Sequence, residues 1–325
     1  MRIVSIVRII ATLLVLAIAP SLGAQSPRSA YPDRPITMVI GYPPGGGADA
    51  LGRIVAVQMG AVLQKPISVV NRSGAGGTIG AAYVAASAPD GYTIFFAESS
   101  LLVAPHIYTS LSFDLKGFTP IAPVGSLPFA IVSSPQFPAK TLIDLISLLR
   151  ERPEAFSYAS PGIGNIGHLS AEMFQQLAGV KLVHIPFQGG GKLIADVMSG
   201  EIPLAFLSVS PVLPLVRAGR LNMIAITSPT RVSYAPTIPT VSEALPGFVS
   251  ATNFFVLAPA HLPPTIRDVL SAAVKQALAT KDVEEAFSAQ GASLSPGTAA
   301  ELASQMAVET ARWGSVVKAG KITSQ

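Results

Sequence analysis

The sequence predicts an α/β protein built as two lobes, and three observations lead there. Short apolar segments alternate with longer helical stretches, which argues for a parallel sheet covered by helices on both faces. The alternation runs as β-α-β-α-β through the first third of the chain and starts again in the second half. The length of 325 residues exceeds one small domain and suits two units of about 100–200 residues each.

The elements follow from local pattern. Ile36–Ile40 is an apolar run and reads as a buried strand, followed by the glycine-rich Pro43–Gly47 and a helix from about Ala48 to Val62. Ile67–Val70 is the next strand, then Gly74–Gly80 and a helix to about Ser87. Pro89-Asp90-Gly91 is a turn, and Thr93–Ala97 a third strand by its β-branched and aromatic content. In the second half the predicted strands are Ala130–Val132, Phe156–Ala159, Val183–Ile185, Leu204–Leu207 and Met223–Thr227. Thr141–Arg150 is a helix whose Thr cap stands three residues before Asp144; others fall near Leu169–Leu177, Leu193–Met198 and Val212–Ala218. Asn253–Leu257 is a strand, Pro263 and Pro264 open a helix to about Ala279, and Asp282–Ser288 and Thr298–Lys318 are helical. No Gly/Ser or charge-rich tract separates the halves, so Ile121–Phe129 and Phe248–Leu257 are the expected crossing segments between lobes.

Composition removes several function classes. Half of the residues are hydrophobic and 12% charged, which excludes an intrinsically disordered chain. The mean hydropathy of +0.51 is high and requires extensive burial. A net charge of +4, with Lys and Arg scattered, leaves no nucleic-acid footprint. With no cysteine there is no disulfide, thiolate catalysis, Cys-ligated metal or lipid-modified Cys. Arg2 and Arg8, the apolar Ile9–Ala19, Pro20 and the small residues of Ser21-Leu22-Gly23-Ala24 form the pattern of a secretory signal peptide over 1–24. Its removal lowers the net charge to +2. The mature protein is expected to be exported and soluble outside the inner membrane.

Ligands of open parallel sheets bind at the carboxyl ends of strands. After the first strand stand Gly41, Tyr42, Pro43, Pro44, Gly45, Gly46, Gly47, Ala48 and Asp49, where amides of three consecutive glycines and a helix N-terminus can cradle an anion. Asp49 reads as a helix cap rather than a base. The equivalent loop of the second half carries Ser160, Gly162, Gly164, Asn165 and His168, and a third carries Phe187, Gln188, Gly189 and Lys192. Lys192 reads equally as an anion partner and as a solvated helix start. Glu98 follows a strand and reads equally as a cleft residue and as a structural hydrogen-bonding one. Gly74–Gly80 has the wrong glycine spacing for a dinucleotide fingerprint, and G-x-S-x-G, H-E-x-x-H and G-x-x-x-x-G-K-[ST] are absent. The four histidines have no paired spacing. No catalytic residue, metal or cofactor is expected.

Several motifs taken in order carry a family resemblance: Tyr31-Pro32-Asp33-Arg34-Pro35-Ile36, Tyr42–Asp49, Val70-Asn71-Arg72-Ser73-Gly74-Ala75-Gly76-Gly77, Ala88–Thr93, Tyr158-Ala159-Ser160, His168-Leu169, Val183–Phe187, Ile238–Glu243 and Trp313-Gly314. Over essentially the whole mature chain the sequence resembles the Bug family, periplasmic receptors of tripartite tricarboxylate transporters. The resemblance implies a type II periplasmic binding protein fold, with 25–125 plus 250–325 as lobe 1 and 126–249 as lobe 2. It implies a small organic carboxylate as ligand, transporter membrane subunits as partners, a monomer, and capture without chemistry. Carried over by position, the ligand-binding residues are Tyr42, Pro43, Gly45, Gly46, Gly47, Ala48 and Asp49 on one side and Ser160, Gly162, Gly164 and Asn165 on the other, with Ser99, Ser100, Phe187, Gln188 and Gly189 less closely matched and Leu207 at a strand end.

Three departures bear on the ligand. Asn165-Ile166-Gly167 replaces a hydroxyl-rich stretch, Leu207 stands where an Asp is common, and Lys192 where a small residue or Pro is usual. Leu207 cannot receive an ammonium group, so an amine-free carboxylate with an apolar or aromatic body is expected. Two alternatives stay open on sequence: a carboxylate sensor for a signalling ectodomain, and an exported hydrolase using Ser160 with His168.

Overall fold

The computed structural model describes residues 31–187 and 190–323. The expected signal segment lies outside the described residues, as do Gln188 and Gly189. No described helix is long and apolar enough to cross a membrane.

In chain order the elements are β1 (Ile36–Ile40), α1 (Gly47–Leu63), β2 (Ile67–Asn71), α2 (Thr78–Ala85), β3 (Thr93–Glu98), α3 (Ser100–Ile107), β4 (Phe118–Ser133), α4 (Leu142–Glu151), β5 (Ser157–Ser160), α5 (Ile166–Ala178), β6 (Val183–Pro186), α6 (Gly190–Ser199), β7 (Leu204–Ser208), α7 (Val209–Arg217), β8 (Asn222–Ile226), α8 (Val241–Ala244), β9 (Ala251–Pro259), α9 (Pro264–Leu278), α10 (Lys281–Ala289), β10 (Ser293–Leu294) and α11 (Ala299–Gly320). α1 buries Leu51, Val55 and Met59, at helical spacing, and closes on Gln64 in the left-handed region. The Thr141 hydroxyl caps α4 by accepting from Asp144 N at 3.2 Å, as its spacing foretold. Thr298 and Glu301 form a capping box at the head of α11.

β1 is flanked by β2 and β3, both parallel to it, and β3 pairs antiparallel with β9. β5 is flanked by β6 and β7, again parallel. β4 joins the two groups. Its stretch Phe118–Pro128 pairs antiparallel with β9, and Phe129–Ser133 pairs with β7 and β8. The register slips between Pro120 and Ala122 and again between Pro123 and Gly125. A proline has no N–H for the ladder, so the strand bulges where prolines interrupt it.

Two differences from the sequence reading stand out. β4 is 16 residues long, whereas only Ala130–Val132 read as a strand. α3 was not foreseen, because Pro105 lies inside it and reads as a breaker. α3 and α11 also pack differently from their place in the chain. Leu302 and Met306 of α11 pack with Val39, Phe95 and Phe255, while Trp313, Val316 and Val317 join Phe174, Leu169 and Phe206 of the second half. Val103 and Ile107 of α3 join that same cluster.

Gly125 sits where β4 meets β10. A Cβ there would lie 2.4 Å from the Ser293 carbonyl oxygen and 3.1 Å from the Phe287 ring. Backbone cannot yield as a side-chain tip can, so Gly125→Ala is expected to cost about 1–3 kcal/mol and to lower the melting temperature by several degrees. An unchanged thermal melt would refute this account of the β4–β10 contact.

Candidate functional site

The site begins with a deficit of hydrogen-bond acceptors. α1 starts immediately after the loop that follows β1, and its N-cap is Gly46, which has no side chain to accept from the first turn. The leading amides of a helix have no intrahelical acceptor, and the peptide dipoles add a partial positive charge there. Such an end is built to take an anion.

Asp49 fixes this loop from behind. It lies inside the first turn rather than at the N-cap, is 4% exposed, and accepts from Gly45 N at 2.9 Å. Arg53 Nε donates to both of its oxygens at 3.0 Å, and Asn71 Nδ2 donates at 2.8 Å to Asp49 Oδ1 and at 2.9 Å to the Tyr42 carbonyl. The Arg53 guanidinium is the main cause holding the Asp49 carboxyl down at about 2, helped by the Gly45 and Asn71 donors against the effect of burial. Asp49 is thus a positioning residue for the loop.

On the opposite side the loop after β5 turns into α5. Asn165 is the N-cap and accepts from Gly167 N at 2.8 Å. Gly164 is in the left-handed region at φ +74°, and a Cβ there would lie 2.5 Å from Ile107 Cδ1, so this loop rests directly on α3. Its amides are used internally: Gly164 N donates to His168 Nδ1 at 3.1 Å, Gly162 N to Ser160 Oγ at 3.3 Å, and Asn165 N to the Gly162 carbonyl at 3.3 Å. Equivalent amide cradles on both sides were expected. The structure has one open cradle, and a loop whose Gly162, Gly164 and Asn165 amides are already paired.

Below that loop is a stack of rings. His168 lies on His184 with centroids 4.0 Å apart and 12° between planes, and His184 lies on Tyr158 at 4.8 Å. Burial pushes the His184 imidazole down to about 4; burial and then the neighbouring His184 push His168 down to about 3. Two imidazoles in face contact are therefore neutral, and His168 Nδ1 is free of a proton and able to accept from Gly164 N. Ser160 Oγ is 2.7 Å from His184 Nε2, so its histidine partner is His184 and not the expected His168. Ser160 is fully buried, which keeps its hydroxyl from an external substrate.

Between the two sides lies a cavity of about 320 Å³, lined by Tyr42, Pro43, Gly46, Gly47, Ala48 and Glu98 from one half and Pro161, Asn165, Leu207, Ser208 and Pro211 from the other. Leu127, Phe129, Thr252 and Phe254 of the crossing strands complete it. A second cavity of about 220 Å³ shares Tyr42, Pro161 and Asn165 and extends over α3, adding Gly76, Ser100, Val103, Ala104, Ile107, Tyr108, Gly162, Ile163 and Gly164. Among the described residues neither is lined by a Lys, Arg or His.

Of the residues singled out from sequence, Tyr42, Pro43, Gly46, Gly47, Ala48, Ser100, Gly162, Gly164, Asn165 and Leu207 come together around these cavities. Gly45, Asp49, Ser99, Ser160 and Phe187 do not line them. Ser99 is buried, donating to Glu309 at 2.9 Å and accepting from Asn253 N at 2.9 Å. Phe187 packs with the second-half core near Ile185 and Leu193, and Lys192, 5.5 Å from its ring centroid, pairs with Asp196 at 2.6 Å. The walls not foreseen are those of α3, Ser208 and Pro211; the Leu127, Phe129, Thr252 and Phe254 contributions fall within the predicted crossing segments.

Residues 51–322 match the family model described as "Tripartite tricarboxylate transporter family receptor". The chain is 34% identical over 315 residues to Protein BugT of Bordetella pertussis, covering 96% of this chain and 97% of that one. It also resembles solved structures. R. palustris Rpa4515 with adipate superposes with a TM-score of 0.81 at 29% identity, over 90% of this chain and 99% of the other. The periplasmic binding protein BugD does so at 0.78 and 28%, over 90% and 100%, and MatC of Rhodopseudomonas palustris with bound malate at 0.76 and 29%, over 88% and 100%.

Two outcomes follow for stability. The neutral imidazoles contribute stability that is complete above about pH 6.5 and lost as pH falls toward about 4 and then about 3. The urea midpoint is expected to be lower at pH 5 than at pH 7.5, and His184→Gln, which cannot titrate, to shrink that difference; equal midpoints in the native chain would refute the neutral stack. Asp49→Ala leaves Gly45 N and Arg53 without their acceptor and is expected to cost about 2 kcal/mol by chemical denaturation.

Proposed function

Because the chain belongs to the tripartite tricarboxylate transporter receptor family, we propose that it is a periplasmic receptor that captures a small organic carboxylate between two lobes and hands it to the membrane subunits of such a transporter. The observation that carries this reading is the open N-terminus of α1, capped by glycine and facing the second half across a cavity without a cationic side chain among the described residues. Fixed amides recognise a carboxylate by direction. Hydrogen bonds to a charged group contribute about 1.5–3 kcal/mol each, so a few converging on one carboxylate suffice for binding of roughly micromolar strength. BugD is a periplasmic binding protein, and the R. palustris neighbours were solved with adipate and malate, which supports an acid of that size.

The ligand residues of this reading are Tyr42, Pro43, Gly46, Gly47 and Ala48 against Asn165 and Leu207, with Gly162, Gly164 and Ser100 around the second cavity. Leu207, Phe129, Phe254 and the apolar face of α3 favour a ligand whose body is hydrocarbon beyond its carboxylate. Residues 25–125 with 250–325 and 126–249 are the two lobes, which close as the ligand gains contacts to both; only contacts stronger in the closed form drive closure. The chain acts as a monomer, and no chemical step is part of the reading. The burial of Ser160 speaks against the hydrolase alternative.

The test is thermal stabilisation by adipate, phenylacetate, malate, citrate and glutamate, since a ligand of the folded state raises the melting temperature by mass action. Adipate or phenylacetate is expected to give the largest shift and glutamate the smallest. A folded, ligand-free protein indifferent to all five acids would overturn the receptor reading.

A further inference from the structure

Among the described residues Glu98 is the one ionisable carboxyl that lines the cavity of about 320 Å³, on the same side as the open amides of α1. A carboxylate there would face an incoming anion with no compensating cation among the described residues, because none of them lining either cavity is Lys, Arg or His. The charged groups on neighbouring elements are committed elsewhere: Asp49 of α1 to Arg53, and Glu309 of α11 to Ser99 and Asn253. The opposing wall, Pro161, Asn165, Leu207 and Ser208, contains no titratable group.

The hydrogen bonds around Glu98 leave room for a proton on it. Ser100 Oγ donates to Glu98 Oε1 at 2.8 Å. Tyr42 also bonds to Glu98, yet its hydroxyl donates to the Gly76 carbonyl at 3.1 Å. A phenol has one proton to give. With Glu98 ionised, Tyr42 has one proton to divide between the carboxylate and the solvent-exposed Gly76 carbonyl. With Glu98 protonated, a continuous chain is open in which Glu98 donates to Tyr42 and Tyr42 donates to the Gly76 carbonyl. Burial also pushes the Glu98 carboxyl above the usual carboxylate range, against the smaller opposing effect of Tyr42 and Ser100, and pushes Tyr42, next to Tyr108, well up as well.

We propose that the cleft holds a carboxylate only while Glu98 is protonated, so that this chain captures a proton together with its anionic ligand and lets both go as the pH rises. This rests on the receptor reading above and adds its chemistry of selection. When Glu98 is ionised in the free protein, capture draws a proton from solvent onto its carboxylate oxygen; nothing else is transferred.

Titration calorimetry with adipate, malate and phenylacetate as probes, at pH 6.0 and pH 8.5, tests this in the native protein. The affinity for whichever probe binds is expected to fall at least about tenfold between the two pH values. Repeating the titration at one pH in buffers of different ionisation enthalpy is expected to show net proton uptake. Glu98→Gln keeps the shape and supplies an N–H to Tyr42 without a charge, and is expected to bind the same probe at pH 8.5 at least about tenfold more tightly than the native chain. An affinity independent of pH with no proton uptake overturns the proposal while leaving the receptor reading intact. So does a Glu98→Gln variant that binds weakly at both pH values, or 2-aminoadipate bound more tightly than adipate, because Glu98 would then be an ionised partner for ammonium. If no probe binds at either pH, the proposal falls together with the receptor reading. The proton count on the native protein decides the matter even if the variant does not fold.

Discussion

A helix that begins on glycine exposes amides for which the chain offers no acceptor, and the first half is arranged around that shortage. The Asp49 carboxylate could have folded forward to satisfy those amides. It is drawn back by Arg53 and Asn71 onto Gly45, so the acceptor within the same turn is spent behind the loop and not in front of it. Asn71, at the end of β2, ties the same network to the Tyr42 carbonyl. The direction of β1, the turn after it and the register of β2 thus converge on holding a few N–H groups toward the cavity. The opposite loop does the reverse. Gly162, Gly164 and Gly167 donate to partners within their own segment, and the ring stack beneath holds His168 where it can accept. One half offers unmet donors and the other a preformed wall, an asymmetry that two similar glycine-rich loops do not suggest.

Much of the fold was readable because burial writes itself into pattern. β1 is an apolar run bounded by proline and glycine, and its limits Ile36 and Ile40 are those of the strand. The expected helices Thr298–Lys318 and Pro264 to about Ala279 fall within a residue or two of α11 and α9. β4 escaped recognition over most of its length because Pro120, Pro123 and Pro128 read as loop. They are tolerated since the strand bulges at the first two, a property of pairing with β9 that no local window contains. α3 was lost to Pro105 for the same reason.

The site was legible to the extent that it is backbone. Tyr42, Gly46, Gly47 and Asn165 face the cavity because they follow strand ends and Leu207 because it stands near the end of β7, and those positions can be counted along the chain. The choice of Ser160 partner could not be counted. His168 lies close in sequence, but parallel pairing of β5 with β6 sets Tyr158 beside His184 and delivers that imidazole to Ser160. Burial likewise decided the direction of Asp49 and the isolation of Ser99, both of which depend on residues far along the chain.

The want of a cationic side chain among the described residues around both cavities has a further consequence. Surface charges draw ions from a distance, but mobile salt damps that pull beyond about 8 Å under physiological conditions. Oriented peptide dipoles act only at contact, inside the shelter of the fold, where dissolved ions do not reach them. A pocket of this kind judges its guest by geometry at the last ångström and not by attraction on approach, and should therefore stay discriminating in brine and in dilute medium alike.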